Sequence, residues 1–255
     1  MRKICVINQK GGVGKTTTAI NLAAGLSRKN KRVLIIDLDA QANISSSLDI
    51  GEGYKNAYDL LFENAEVKEC TVNIGKNLDI IQSSGGLSKA DYYLSKQPEK
   101  EIFLRNKLKD VVGYDYIILD CPPSLNLLNQ NAMLFADEAI IPVSTDFLGV
   151  DGMKKQAEAI KDLNAFFDHQ LKVSKVVPTM FDKRSKLAHS SFADIQNAFY
   201  DVVSDPIRVD AKLKECPLNK KSIFAYAKSS KGAKDYERLV TSVVRDESKY
   251  ASMNA

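Results

Sequence analysis

The chain has 255 residues, 44% of them hydrophobic and 27% charged, with a formal net charge of +4. That balance excludes a disordered chain, and no apolar run reaches the roughly 18 residues of a membrane-spanning helix. Met1-Arg2-Lys3 leads at once into Ile4-Cys5-Val6-Ile7, with no signal-like apolar region and cleavage site, so a cytoplasmic protein is expected. Cys5, Cys70, Cys121 and Cys216 form no C-x-x-C pair and read as isolated reduced thiols, Cys121 as a small buried strand-end residue rather than a nucleophile.

In chain order, apolar strand-like runs at Ile4–Ile7, Val33–Ile36, Leu78–Ile81, Tyr116–Leu119, Ala139–Val143 and Val173–Val177 alternate with stretches of helical spacing. The helical stretches are Thr17–Arg28, Ile102–Val111, Leu125–Ala136, Met153–Phe167, Phe192–Tyr200 and Ala233–Val244. Continuous apolar strands separated by helices predict an α/β fold, a mostly parallel, doubly wound sheet with helices on both faces. No linker or repeat divides the chain, so residues 1–255 are expected to form a single domain. Gly51 to Ser88 is the least legible stretch.

After the first strand comes Lys10-Gly11-Gly12-Val13-Gly14-Lys15-Thr16-Thr17, and then a helix. Gly11, Gly12 and Gly14 let backbone N–H groups approach phosphate oxygens, the helix start faces the anion with its positive end, and Lys15 adds a full charge. Thr16 offers a hydroxyl to Mg²⁺. A P-loop ATPase is therefore expected, binding ATP and Mg²⁺ through Lys10 to Thr17, Val13 and Thr17 included. The ordinary P-loop pattern has glycine where Gln9 stands, and this loop instead carries a second lysine, Lys10.

The second strand ends in Asp37-Leu38-Asp39 and the fourth apolar run ends in Asp120, placing acids at carboxyl ends of strands, where open α/β sheets bind ligands. Tyr116-Ile117-Ile118-Leu119-Asp120 is a Walker B pattern, in which the acid holds Mg²⁺ through water. Asp37 is read as supporting the water shell of the metal and Asp39 as the catalytic acid.

The loop K-G-G-x-G-K-[ST] resembles the deviant Walker A box of the ParA/MinD group, and the resemblance extends over most of the chain to the ParA/Soj chromosome- and plasmid-partition ATPases of the short type, without an N-terminal helix-turn-helix domain. Its carriers are Asp37-Leu38-Asp39-Ala40-Gln41-Ala42-Asn43, Asp120-Cys121-Pro122-Pro123-Ser124, Pro178-Thr179-Met180-Phe181-Asp182 with Arg184, Ile207-Arg208 through Asp210 to Glu215, and Ser230-Lys231-Gly232-Ala233-Lys234-Asp235-Tyr236. The resemblance implies that Lys10 reaches across an ATP-bound homodimer to the phosphates of the partner. It implies that Asp39 orients the attacking water, and that Met180, Arg208 and Asp210 lie beside the adenine. Arg208 and Asp210 stand where many relatives have proline and asparagine, and Cys121 where they have alanine or threonine.

The last third is basic: from Leu171 onward sixteen Lys or Arg face ten Asp or Glu. By resemblance, the ATP-bound dimer coats duplex DNA without sequence preference, using Arg184 and Lys212 with Lys183, Lys186, Lys214, Lys220 and Lys221 as neighbours. Slow hydrolysis stimulated by a ParB-like centromere-binding partner, and a nucleoid location, complete what the family implies. The alternative is a MinD-like membrane-associated positioning ATPase. It requires a basic amphipathic C-terminal helix, whereas Ser248 to Ala255 is short and polar, so no membrane partner is expected.

Overall fold

The computed structural model describes residues 1–51 and 53–248. Seven strands form one sheet: β1 (Arg2–Val6), β2 (Val33–Asp37), β3 (Thr71–Gly75), β4 (Leu78–Ile81), β5 (Tyr116–Asp120), β6 (Glu138–Ser144) and β7 (Lys172–Thr179). Their order is β3-β4-β2-β5-β1-β6-β7, parallel throughout except for β3, which runs antiparallel on β4. The six expected strands are all present. The edge strand β3 is the addition, and it lies in the stretch that the sequence left unread.

Side-chain alternation explains the two-sided packing. Ile4, Val6, Val33, Ile35, Ile118 and Ile140 point to one face, and Cys5, Leu34, Ile36, Ile117, Leu119 and Ile141 to the other, each joining a separate hydrophobic cluster. The first cluster is covered by α1 (Lys15–Arg28) and by the last helix, Lys231–Arg245. The second lies under α2 (Leu127–Phe135), α3 (Phe147–Phe167), α4 (Lys186–Phe199) and several short helices between Ala57 and Lys107. The last helix, α5 (Lys231–Arg245), is capped by Ser230, whose hydroxyl accepts the Ala233 N–H. Burying both faces of the central strands removes apolar surface from water at about 25 cal/mol per Å², which is why those strands read as unbroken apolar runs.

Strand order sets the position of the site. β1 lies between β5 and β6: the connection from β1 runs to β2 on the β5 side and the one from β5 crosses to β6 on the other, the switch point at which open α/β sheets leave a crevice. In the parallel registers Val6 is level with Asp120, and Asp120 with Asp37. The glycine loop and two acids therefore converge at one edge. Among the described residues no helix is long and apolar enough to cross a membrane. The tail on which the membrane alternative turns, residues 249–255, lies outside the described residues.

Candidate active site

The loop between β1 and α1 has the backbone that its glycines anticipate. Gly12 has φ 74° and Gly14 φ 88°, left-handed values that strain an L side chain, and Gly14 serves as the N-cap of α1. At Gly11 neither constraint applies: an added Cβ would meet nothing within 4 Å. The free space there leaves room for an anion to approach the backbone. α1 opens with no acidic residue in its first turn and no side-chain cap, leaving its N-terminal N–H groups for an acceptor from outside. Val13 is buried and its carbonyl accepts from the Thr179 hydroxyl at 2.9 Å, which anchors the loop to β7. Thr16 and Thr17 are half-buried at the helix start.

Lys15 is buried and its ammonium donates to the carbonyl of Lys10 at 3.1 Å, curling over the loop. Burial lowers its pKa, opposed by the carboxylates of Asp120 and Asp39 and by Cys121. Asp120 is 1% exposed, and burial pushes it up to about 7 against the pull of the Thr16 hydroxyl and Lys15. Neither of its oxygens closes a hydrogen bond of ordinary geometry. A buried carboxylate with two unfilled oxygens beside a threonine hydroxyl fits a hard divalent cation, whose charge would supply the missing compensation.

Asp37 behaves differently. Its Oδ1 accepts the Asp39 N–H at 3.0 Å and its Oδ2 the Ile44 N–H at 3.2 Å, so it fixes the loop that presents Asp39. Burial and the neighbouring Asp120 raise its pKa well above the usual carboxylate range, against those two N–H groups. These contacts hold the loop that carries Asp39 and leave Asp37 beside Asp120, where the water shell of a metal was expected. Asp39 itself is half-buried and accepts the Gln41 N–H at 3.0 Å. Burial also drives the Cys121 thiol up, leaving it a poor nucleophile.

Lys10 lies in the same loop but faces another acid. Its ammonium is 2.8 Å from Asp146 Oδ1, 3.1 Å from Oδ2 and 3.1 Å from the Ser144 hydroxyl. Its backbone N–H donates to Asn8 Oδ1 at 3.0 Å, and Asn8 in turn donates to the Pro142 carbonyl at 2.8 Å. Burial alone would raise Asp146, but hydrogen bonds from Lys10, Ser144 and the Gly149 N–H outweigh it and hold the carboxyl below its usual range. Asn8, Ser144 and Asp146 were missed from sequence. The available signal was position, since Ser144-Thr145-Asp146 follows an apolar strand as Asp120 does.

Met180, expected beside the adenine, directly follows β7 with φ 55° and is half exposed. Arg208, expected beside the adenine, is bound in a two-point pair to the fully buried Asp235, through Nε at 2.9 Å and Nη2 at 2.6 Å, with its backbone N–H on the same carboxylate. Asp210 is likewise engaged, accepting the N–H groups of Lys212 at 3.0 Å and Gly232 at 2.7 Å. Burial would raise it, but those donors and Ser230 keep it lowered. Both side chains brace the segment against α5. Arg184 is 90% exposed and pairs with Asp182 at 3.0 Å, and Lys212 pairs with Glu215 at 2.8 Å, so each cation expected on DNA carries a local counter-charge.

Residues 1–173 match the family model described as an AAA domain. The chain is 36% identical over 248 residues to the sporulation initiation inhibitor protein Soj of Bacillus subtilis, covering 94% of this chain and 97% of that one. It is 34% identical over 254 residues to the chromosome partitioning protein ParA of Caulobacter vibrioides, covering 97% and 95%. Among solved structures, a putative plasmid partition protein from Borrelia burgdorferi bound to AMPPNP superposes with a TM-score of 0.81 at 27% identity, covering 96% and 99%. Apo McdA from Cyanothece, at 23% identity and TM-score 0.86 over 95% and 99%, shares the fold. With a second lysine in its glycine loop, an acid at the end of each of β2 and β5, and full-length similarity of this order, the chain belongs to the ParA/Soj family of chromosome-partition ATPases.

Proposed function

We propose that the protein is an ATP-driven DNA-segregation switch: it binds ATP with Mg²⁺, pairs as a homodimer, holds duplex DNA without sequence preference and hydrolyses ATP slowly until a ParB-like partner stimulates it. The observation that carries this reading is the buried, unpartnered Asp120 carboxylate set beside Thr16 and level with the end of β1. The phosphates enter the space at Gly11 and the free N–H groups at the start of α1, with Lys15 neutralising their charge. Thr16 and Asp120 would hold Mg²⁺, which when bound neutralises charge on the phosphate oxygens. Asp39 accepts the proton of a water whose oxygen forms a bond to the terminal phosphorus as the bond to the bridging oxygen breaks, releasing ADP and phosphate.

Lys10 has a more conditional place in this reading. Reaching the phosphates of a second copy requires it to leave Asp146 and Ser144, and the half-exposed Asp146 makes that exchange inexpensive, since such pairs are worth about 0.2–1 kcal/mol. Arg184, Lys212 and the neighbouring lysines would meet DNA phosphates after giving up Asp182 and Glu215. Dimerisation doubles those contacts, so ATP strengthens DNA binding, and the affinity falls steeply with salt. Such a protein locates to the nucleoid.

The deciding experiment is co-sedimentation with duplex DNA in ATP, in ADP and without nucleotide, repeated with the slow-hydrolysing Asp39→Ala variant. ATP-selective, salt-sensitive binding is expected, strongest for Asp39→Ala. Binding indifferent to nucleotide, or selective sedimentation with anionic lipid vesicles in place of DNA, overturns the reading.

A further inference from the structure

The two edges of the sheet are finished differently. Along β7 the edge is closed by residues 202–209: the Val176 N–H donates to the Val202 carbonyl at 2.9 Å, the N–H groups of Ser204 and Ile207 donate to Val176 and Pro178 at 2.9 and 2.8 Å, and that of Phe181 donates to Ile207 at 3.1 Å. β3 is the last strand at the other edge, and among the described residues no segment pairs with its outer side. An open strand edge presents N–H and C=O groups to any extended chain that reaches it, and folds ordinarily cover or blunt such an edge.

The open edge borders a cleft of about 510 Å³ on the α1 face of the sheet, walled by Ile20 and Ala24 of α1, by Leu48 and Ile50, and by Val72 and Ile74 of β3. All but Ile20 are half-buried and pack on the core cluster of that face, so the cleft carries the core out to the surface. Asp49, Lys220 and Lys221 stand at its rim. Lys220 meets Asp49 at 3.2 Å, whereas Lys221 is exposed and meets no carboxylate among the described residues, which leaves the rim with an uncompensated positive charge. The register of β3 on β4 shifts between Asn73 and Gly75, so Thr71, Val72 and Asn73 form the regular part of the edge. Main-chain pairing over so short a stretch is too little to hold a partner, and the apolar wall and the lysine must supply the rest.

We infer that the β3 edge is a docking site for an extended, acidic segment of another protein, which adds to the sheet beside β3, sets an apolar side chain into the cleft and brings a carboxylate to Lys221. Alternate side chains of an added strand point to one face, so main-chain bonds and a side-chain pocket act together there. A small amphiphile would fill the cleft and leave the strand edge unpaired. A second copy set edge to edge would bring two lysine rims together, which like-charge repulsion disfavours. None of the walls is a residue assigned to the phosphates or to the metal, so the docking site is independent of the nucleotide reading.

The probe is a short fluorescent peptide of alternating valine and threonine with two glutamates at each end, added to the full chain without nucleotide. Saturable binding with a Kd below ~1 mM is expected by anisotropy. Exchanging the glutamates for lysines, or the central valine for proline, should weaken it by about tenfold, since the first opposes Lys221 and the second removes a ladder donor. Lys221→Glu and Ile74→Asp should weaken it by about as much, and the surface variant Lys221→Glu should keep the melting temperature and ATP turnover of the wild type. In the wild type, amide exchange over residues 71–75 should slow when the peptide is bound. Absence of saturable binding, indifference to the charge of the peptide or to its proline, or unchanged exchange over 71–75 overturns the inference without any variant. Slowed exchange there on raising the protein concentration alone would overturn it in favour of a second copy.

Discussion

At the amino edge of the sheet, Arg2 and Glu138 are both buried and meet at two points of 2.6 Å, whereas at the carboxyl edge Asp120 is as deeply buried with neither oxygen hydrogen-bonded. The amino edge goes on in the same manner: Arg2 also donates to the Val243 carbonyl at 2.6 Å, Tyr116 to Glu247 at 2.5 Å, and Lys175 to Asp246 at 2.5 Å. A cavity of about 490 Å³ opens there, larger than the cleft beside Thr16 and Thr17, yet its buried Arg2, Glu138 and Lys175 are paired within the protein. A buried charge paired within the protein has its desolvation offset, whereas a buried charge without such a partner costs free energy unless a ligand arrives to compensate it. The comparison locates function by compensation rather than by cavity size.

The largest expected effect falls at the carboxyl edge. Lys15→Ala removes a charge-assisted phosphate contact worth about 1.5–3 kcal/mol and should abolish measurable nucleotide binding while leaving the fold intact. Retained ATP affinity in calorimetry would break the assignment of that edge. At the amino edge the expected effect is on stability. Glu138→Gln takes the carboxylate from the buried Arg2 guanidinium and should destabilise the protein by about 3–5 kcal/mol in urea unfolding, with nucleotide affinity of the folded protein unchanged. A loss below about 1 kcal/mol would show the pair to be dispensable and blur the contrast.

Gly11→Ala sharpens the comparison within the loop itself. Because its Cβ would meet nothing, the variant should melt with the wild type and yet bind ATP more weakly, whereas Gly12→Ala and Gly14→Ala carry positive φ and should also lose about 1 kcal/mol of stability or more. Equal ATP affinity for Gly11→Ala and the wild type would mean that the phosphates lie elsewhere.

The smallest effect concerns Asp146. Its folded-state pKa is lowered, since the bonds from Lys10, Ser144 and Gly149 outweigh burial, so its stabilising contribution is fully present above the unfolded value of about 3.9 and is lost as pH falls through the lower folded value. The difference in melting temperature between the wild type and Asp146→Asn should therefore be small and flat across neutral pH and disappear only below about pH 4. A difference that changes between pH 6 and 8 would place another titrating group at Lys10.

From sequence alone, the parallel sheet and the chemistry of its central loop were legible because both are written locally. Strands buried on two faces must be apolar throughout, and a phosphate loop must carry glycines at fixed spacing next to lysine and threonine. β3 was not legible, because it is an edge strand with no fully buried residue and its pairing partner is supplied by the fold. α3 begins at Phe147, six residues ahead of its expected start, since the exposed Phe147 and Leu148 and the glycines at 149 and 152 interrupt the apolar period. Gly149 is required by tertiary contact: a Cβ there would come within 2.0 Å of the Ser144 carbonyl. For the same reason the partners of Lys10, Arg208 and Asp210 were out of reach of the sequence, which names charged residues but not the distant ones they face. Asp146 lies 136 positions from Lys10, and Asp235 lies 27 from Arg208. Residue identity was sufficient where the function depends on backbone shape and one strand end, and the tertiary structure decided every case in which a charge is shared between distant segments, because Coulomb and hydrogen-bond energies depend on separation in space and not along the chain.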